Sequence, residues 1–173
     1  MIFNQQHTES VNLIESINSN QFLSAGEDNK IIIWNINPLE YVCTLQDTSS
    51  YGHFGGISSV EIAFGNHLIS ADKSGNIIAW LTSSKMISWK ISNAHTNSIN
   101  SLKLSRPTHL ASGGDDGYLK VWNWLTSAQL NSIYLGSKLK SFGILGYFQM
   151  LLVGLDESKV FINLFYIFFI SLL

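Results

Sequence analysis

The residues of this chain best equipped for chemistry are serines, histidines and aspartates. Asp115 and Asp116 stand side by side ahead of Gly117 in "GGDDGYLKVW", residues 113–122. Adjacent carboxylates can hold a cation or share acid–base work. Ser24, His95 and Asp116 are of the types that build a nucleophilic triad, in which serine attacks, histidine takes the proton and aspartate orients the ring. The pattern argues against both uses. A catalytic set occurs once, whereas these residue types recur at fixed spacing along the chain. No complete calcium-loop pattern surrounds the acids. "GHFGG", residues 52–56, is not a phosphate loop, because no Gly-Lys-Ser/Thr follows it. The sequence therefore assigns no catalytic residue, no metal ligand and no cofactor.

The recurrence sets the organisation of the chain. "HTESVNLIESINSNQFLSAGEDNKIIIW" (His7 to Trp34), "HFGGISSVEIAFGNHLISADKSGNIIAW" (His53 to Trp80) and "HTNSINSLKLSRPTHLASGGDDGYLKVW" (His95 to Trp122) align without gaps, with 27 residues from His to Trp in each. Four residues after the His comes Val11, Ile57 or Ile99, and three further on Ile14, Val60 or Leu102. A serine stands ten residues before each Trp, as Ser24, Ser70 and Ser112. The units start 46 and then 42 residues apart, so the length variation falls between them, in residues 35–52. A degenerate fourth copy ends in "VGLDESKVFIN", residues 153–163, with Gly136, Val153 and Asn163 where His, Ser and Trp stand elsewhere. Its Asp156 and Glu157 align with Asp115 and Asp116.

These residues must be positioned by strands. "QFLSAG", "NHLISA" and "THLASG" run into turns that open "IIIW", "NIIAW" and "YLKVW", and a third β-rich run follows each Trp. With the run after each His, a unit holds four strands, and no stretch sustains an apolar period of 3.6. Units of about 42 residues with four short strands match a β-propeller blade.

The set His7, Ser24, Asp28, Trp34; His53, Ser70, Trp80; and His95, Ser112, Asp116, Trp122 resembles the WD-repeat (Trp-Asp repeat) family of β-propellers. The resemblance is strong over residues 7–135 and weak over 136–164. It implies an all-β fold, a partial propeller of about four consecutive four-stranded antiparallel blades. The repeats run over about 7–45, 53–91, 95–135 and, degenerate, 136–164, all within a propeller region 1–164, and 165–173 form an apolar tail. It also implies a Trp–Ser–His–Asp hydrogen-bonded set in each blade, with Asp116 as a blade-locking acid. The chain departs from the pattern in having no Trp-Asp dipeptide after its repeats. Its second unit has Ser74 at the acid position and Asp72 two residues earlier, so that blade is expected to lack a complete set and to be the least rigid of the first three. Trp89 and Trp124 read first as fillers between blades and second as exposed stacking groups.

What remains for function is the surface. The resemblance places the turn residues Glu27, Lys73, Asp115 and Asp156, with Glu9 and Asn97 beside them, on a peptide-receiving face. Its mostly acidic rim suits a basic segment. The expected function is a non-enzymatic scaffold for protein–protein interaction or complex assembly, as part of a larger propeller. With 10 basic and 12 acidic residues and no basic stripe, no nucleic-acid partner is expected. Cys43, the only cysteine, suits a reducing, intracellular and cytoplasmic setting. "VFINLFYIFFISLL", residues 160–173, is too short for the ordinary span of about 20 apolar residues. Its end, "LFYIFFISLL", reads first as non-native sequence on a fragment. Self-association of half-propellers through open blade edges comes second, and a membrane-tethered adaptor is the alternative.

Overall fold

The computed structural model describes residues 6–106, 108–145, 150–155 and 160–163. Every regular element among them is a strand. The first sheet runs β1 (Val11–Asn18), β2 (Gln21–Gly26), β3 (Ile31–Ile36) and β4 (Leu39–Leu45). The second runs β5 (Ile57–Ala63), β6 (His67–Asp72), β7 (Ile77–Leu81) and β8 (Met86–Ile91), and the third β9 (Ile99–Arg106), β10 (His109–Gly114), β11 (Tyr118–Asn123) and β12 (Ala128–Tyr134). A fourth sheet has β13 (Leu139–Leu145), β14 (Met150–Leu155) and β15 (Val160–Asn163). Each sheet is an antiparallel meander in sequence order. Neighbouring sheets meet at their first strands, β1 with β5, β5 with β9 and β9 with β13.

The alternation of side chains along a strand explains why the middle strands read as continuous apolar runs. In β7, Ile78 and Trp80 pack toward the first sheet with Leu23, Ile31, Ile33, Cys43 and Leu45. Ile77 and Ala79 pack the other way, with Ile99, Leu102, Leu110, Trp122 and Trp124 of the third. A third cluster joins Ala111 and Leu119 to Leu139 and Phe142. Full burial of each large aliphatic side chain is worth about 1.5–3 kcal/mol, so stacking of sheet on sheet holds the units together. Trp124 is buried within the second of these clusters and Trp89 packs against its edge, which makes both inter-sheet fillers.

The turn between the second and third strands is built alike in three sheets. Its left-handed position is Asn29 (φ 61°), Gly75 (φ 85°) and Gly117 (φ 77°), residues that tolerate that conformation. In the fourth sheet Val153 faces Phe142 across β13 and Asn163 faces Leu151. That register matches Ser112 with Leu102 and Trp122 with Leu110, so Val153 and Asn163 occupy the Ser and Trp positions. Asp156 and Glu157, and the tail from residue 164 on, lie outside the described residues.

Candidate functional site

In the third sheet, Trp122 Nε1 donates to Ser112 Oγ at 2.8 Å, Ser112 Oγ lies 2.7 Å from His95 Nε2, and His95 Nδ1 lies 2.8 Å from Asp116 Oδ1. The first sheet repeats this, with Trp34 to Ser24 at 2.9 Å, Ser24 to His7 at 2.7 Å and His7 to Asp28 at 3.0 Å. Residue chemistry sets the direction. The indole only donates and the carboxylate only accepts, so Nδ1–H points at the acid, while between Ser and Nε2 either atom can hold the hydrogen. Burial holds the His95 imidazole below its ordinary range, and the hydrogen bond and charge of Asp116 offset only part of that. Burial would raise the Asp116 carboxyl, but the His95 bond, its charge and the Tyr118 and Thr96 amides hold it below the usual range.

The second sheet corrects an expectation from the sequence. Its set is complete: His53 Nδ1 reaches Asp72 Oδ2 at 2.7 Å, His53 Nε2 lies 2.6 Å from Ser70 Oγ, and Trp80 Nε1 donates to Ser70 at 2.8 Å. Both His53 and Asp72 side chains are 0% exposed, against 9% and 2% for His7 and Asp28. The acid arrives from a different place. Asp72 ends β6 opposite Ile57, where the other sheets have Gly26 opposite Val11 and Gly114 opposite Ile99. A Cβ added at Gly114 would sit 3.4 Å from His95 Nδ1, so a side chain at this position points at the imidazole. Asp72 also accepts from the Ser74 and Asn76 amides and from the Asn76 side chain, at 2.8–3.2 Å. The blade expected to be loosest thus has the driest set.

The turn residues lie together at one end of each sheet, beside the entry to its first strand. The Glu27 amide donates to Ser10 O at 2.9 Å, Lys73 to Gly56 O at 3.0 Å and Asp115 to Ser98 O at 2.8 Å. Glu9, Asn97 and Lys73 are exposed there. Asp156 is outside the described residues. Two of the acids are already paired with lysines. Glu27 is ion-paired with Lys73 of the next sheet, and Asp115 with Lys138 at 3.5 Å and Lys140 at 3.3 Å. Across the described residues the rim is charge-balanced rather than acidic.

One repeating contact escaped the sequence reading. The residue after Val11, Ile57 or Ile99 is polar each time, and each donates to a carbonyl of the next sheet. Asn12 Nδ2 reaches Ile57 O at 2.9 Å, Ser58 Oγ reaches Ile99 O, and Asn100 Nδ2 reaches Leu139 O at 2.7 Å. Asn12 and Asn100 also donate to the turn acid of their own sheet, Glu27 at 2.9 Å and Asp115 at 2.7 Å. Where the turn carries Lys73 instead, the hook is Ser58. Polarity at that position, following an apolar residue in every unit, was the available signal. At the fourth position stands Lys140, whose ammonium reaches back to Asp115.

The family model for WD domain, G-beta repeat, matches residues 2–35 and 88–123. The chain is built of WD repeats. The model match skips the second WD repeat, the one whose acid is displaced to Asp72. A p21-activated protein kinase-interacting protein 1-like protein of Danio rerio is 33% identical over 119 residues, 68% of this chain and 30% of that protein. Among solved structures, the WD40 β-propeller domain of Doa1 superposes with a TM-score of 0.80 at 19% identity, covering 90% of this chain and 51% of that one. The RRP9 WD40 repeats give 0.76 at 19% identity, again over 90% and 51%. The computationally designed Ika4 protein gives 0.78 at 20% identity, over 94% of this chain and 95% of that one. The chain thus spans under a third of the curated relative and about half of the two WD40 structures. WD propellers are generally protein-interaction scaffolds, and the residues most able to do chemistry here are bonded to one another inside three blades.

Proposed function

We propose that this WD-repeat chain is a non-enzymatic, intracellular scaffold that holds protein partners and contributes its blades to a larger propeller. The internal use of the Trp–Ser–His–Asp set carries this reading. Each serine accepts from an indole and is buried, at 5%, 0% and 0% exposed for Ser24, Ser70 and Ser112, so none is open to a substrate. The share of its relatives that the chain spans supports membership of a larger propeller. Cys43 suits the intracellular setting, since burial raises its thiol pKa and leaves it unreactive. The partner class is protein, and a basic segment on the turn rim would have to compete with Lys73, Lys138 and Lys140 for Glu27 and Asp115. Of the apolar segment behind the membrane-tethered alternative, Val160–Asn163 pair with β14 as a strand, and residues 164–173 lie outside the described residues.

The test is purification of the tagged full chain from cells under native conditions, beside a Glu9→Lys/Asn97→Lys variant on the exposed rim. The expected result is a stoichiometric protein partner that is weakened by the double variant while the melting curve stays unchanged. A chain that captures no partner, or that turns over a small substrate through Ser24 or Ser112, would overturn the reading.

A further inference from the structure

The longest connection between described sheets, residues 46–56, leaves β4 and passes over the outer strand of the second sheet, β8. Between them lies a cavity of about 440 Å³, a size in the range of ligand and peptide pockets. Tyr51 and Met86, each 66% exposed, stand at its wall beside the half-buried Trp89. The connection is held by Lys90, whose ammonium donates to Gly52 O at 2.9 Å and Ser50 O at 3.3 Å. The same ammonium lies 4.9 Å from the centre of the Phe54 ring. Six successive residues, Lys85 to Lys90, line the cavity. Neighbouring side chains of a strand point to opposite faces, so a cavity lined by all of them runs along the strand's edge. That edge is open, since β8 is last in its sheet and pairs with β7 alone among the described residues.

We propose that this groove docks an extended, acidic peptide segment of a partner protein as an added strand on β8. The open backbone of β8 offers the ladder hydrogen bonds of strand addition. Tyr51, Met86 and Trp89 take an apolar anchor from alternate positions of the segment. Lys85 and Lys90 face one acid, Asp47, whose carboxylate already accepts the Ser49 amide at 2.7 Å. The balance of charge selects Asp or Glu in the incoming strand. The site lies along the outer strand β8, and it rests on the scaffold reading.

Selection of twelve-residue phage-displayed peptides on the folded full chain tests the proposal, with binding of the enriched peptides followed by Trp fluorescence. The expected family alternates apolar residues and carries Asp or Glu. Its affinity falls about tenfold with Tyr51→Ala or Met86→Glu, the loss of one anchor, and Lys85→Glu shifts the preference away from acids. Both anchor substitutions are at exposed positions, and unchanged melting curves separate lost binding from lost fold. Enriched peptides that ignore all three substitutions, or that are basic, overturn the groove and leave the scaffold reading standing. A selection that enriches nothing overturns the groove and counts against the scaffold as well. A dimer that Met86→Glu converts to monomer also overturns it, by showing that β8 pairs with a second copy.

Discussion

Asp116 ends a hydrogen-bond chain that begins at the Trp122 indole and runs through Ser112 and His95. Asp116→Ala leaves Nδ1–H of His95 and two backbone amides without their acceptor. A loss of about 1–3 kcal/mol in urea unfolding is expected. Asp72→Ala is expected to cost at least as much, about 3 kcal/mol or more, because its carboxylate is fully buried and accepts from His53, Ser74 and Asn76. An Asp72 variant milder than the Asp116 variant would show that the displaced acid is only a substitute. The pH dependence follows from His95, which faces Asp116 and Lys120. Its folded pKa is depressed, so its contribution is full above the unfolded value of about 6.5 and is lost as pH falls through the lower folded value. Asp116 is depressed too, so its own contribution goes at still lower pH, below about 4. Melting temperatures measured from pH 8 to 4 should fall from near 6.5 downward, and His95→Gln should flatten the upper part of that fall.

At the scale of the strands, the hooks Asn12, Ser58 and Asn100 tie each sheet to the next. Asn100→Ala removes the donor to both Leu139 O and Asp115, and is expected to cost about 1–2 kcal/mol. Hydrogen exchange should quicken in β13 before β10 if the contact is a tie between sheets; uniform quickening would make it a general core loss. The strands themselves were legible. "QFLSAG" is β2 to the residue, and the runs closing at each Trp are β3, β7 and β11 within a residue or two, since β-rich runs and turn residues alternate without ambiguity. The acid of the second set was not, because the reading held the aspartate to one turn position. The imidazole can be reached from either side, by Asp72 at the strand end or by Asp116 in the turn. The charge pairing of Glu27 and Asp115 was hidden for another reason. Lys73 lies 46 residues from Glu27, and only stacking of the sheets brings the two together.

For the molecule as a whole, the first sheet differs from those behind it. Val11 is 45% and Ile14 66% exposed, whereas their counterparts Ile57, Val60, Ile99 and Leu102 are between 0% and 6%. In the second and third sheets those positions are covered by the sheet before, so the outer face of the first sheet has the shape and chemistry of a blade-receiving surface. Ile14→Glu is expected to change the stability of the full chain by no more than about 0.5 kcal/mol, as at other surface sites. Leu102→Glu puts a charge into the core and should unfold it. Equal damage from both would mean that Ile14 is covered in solution, and sedimentation of the two variants would show by what. The hooks between sheets also have a direction. In every case the donor is on the strand nearer the N-terminus and the carbonyl on the strand made later. Other ties run the opposite way, from the Lys73 ammonium to Glu27 and from the Leu102 and Leu104 amides to Ser59 and Glu61. Neighbouring sheets are thus stitched from both sides, and the seam between two blades belongs to neither alone.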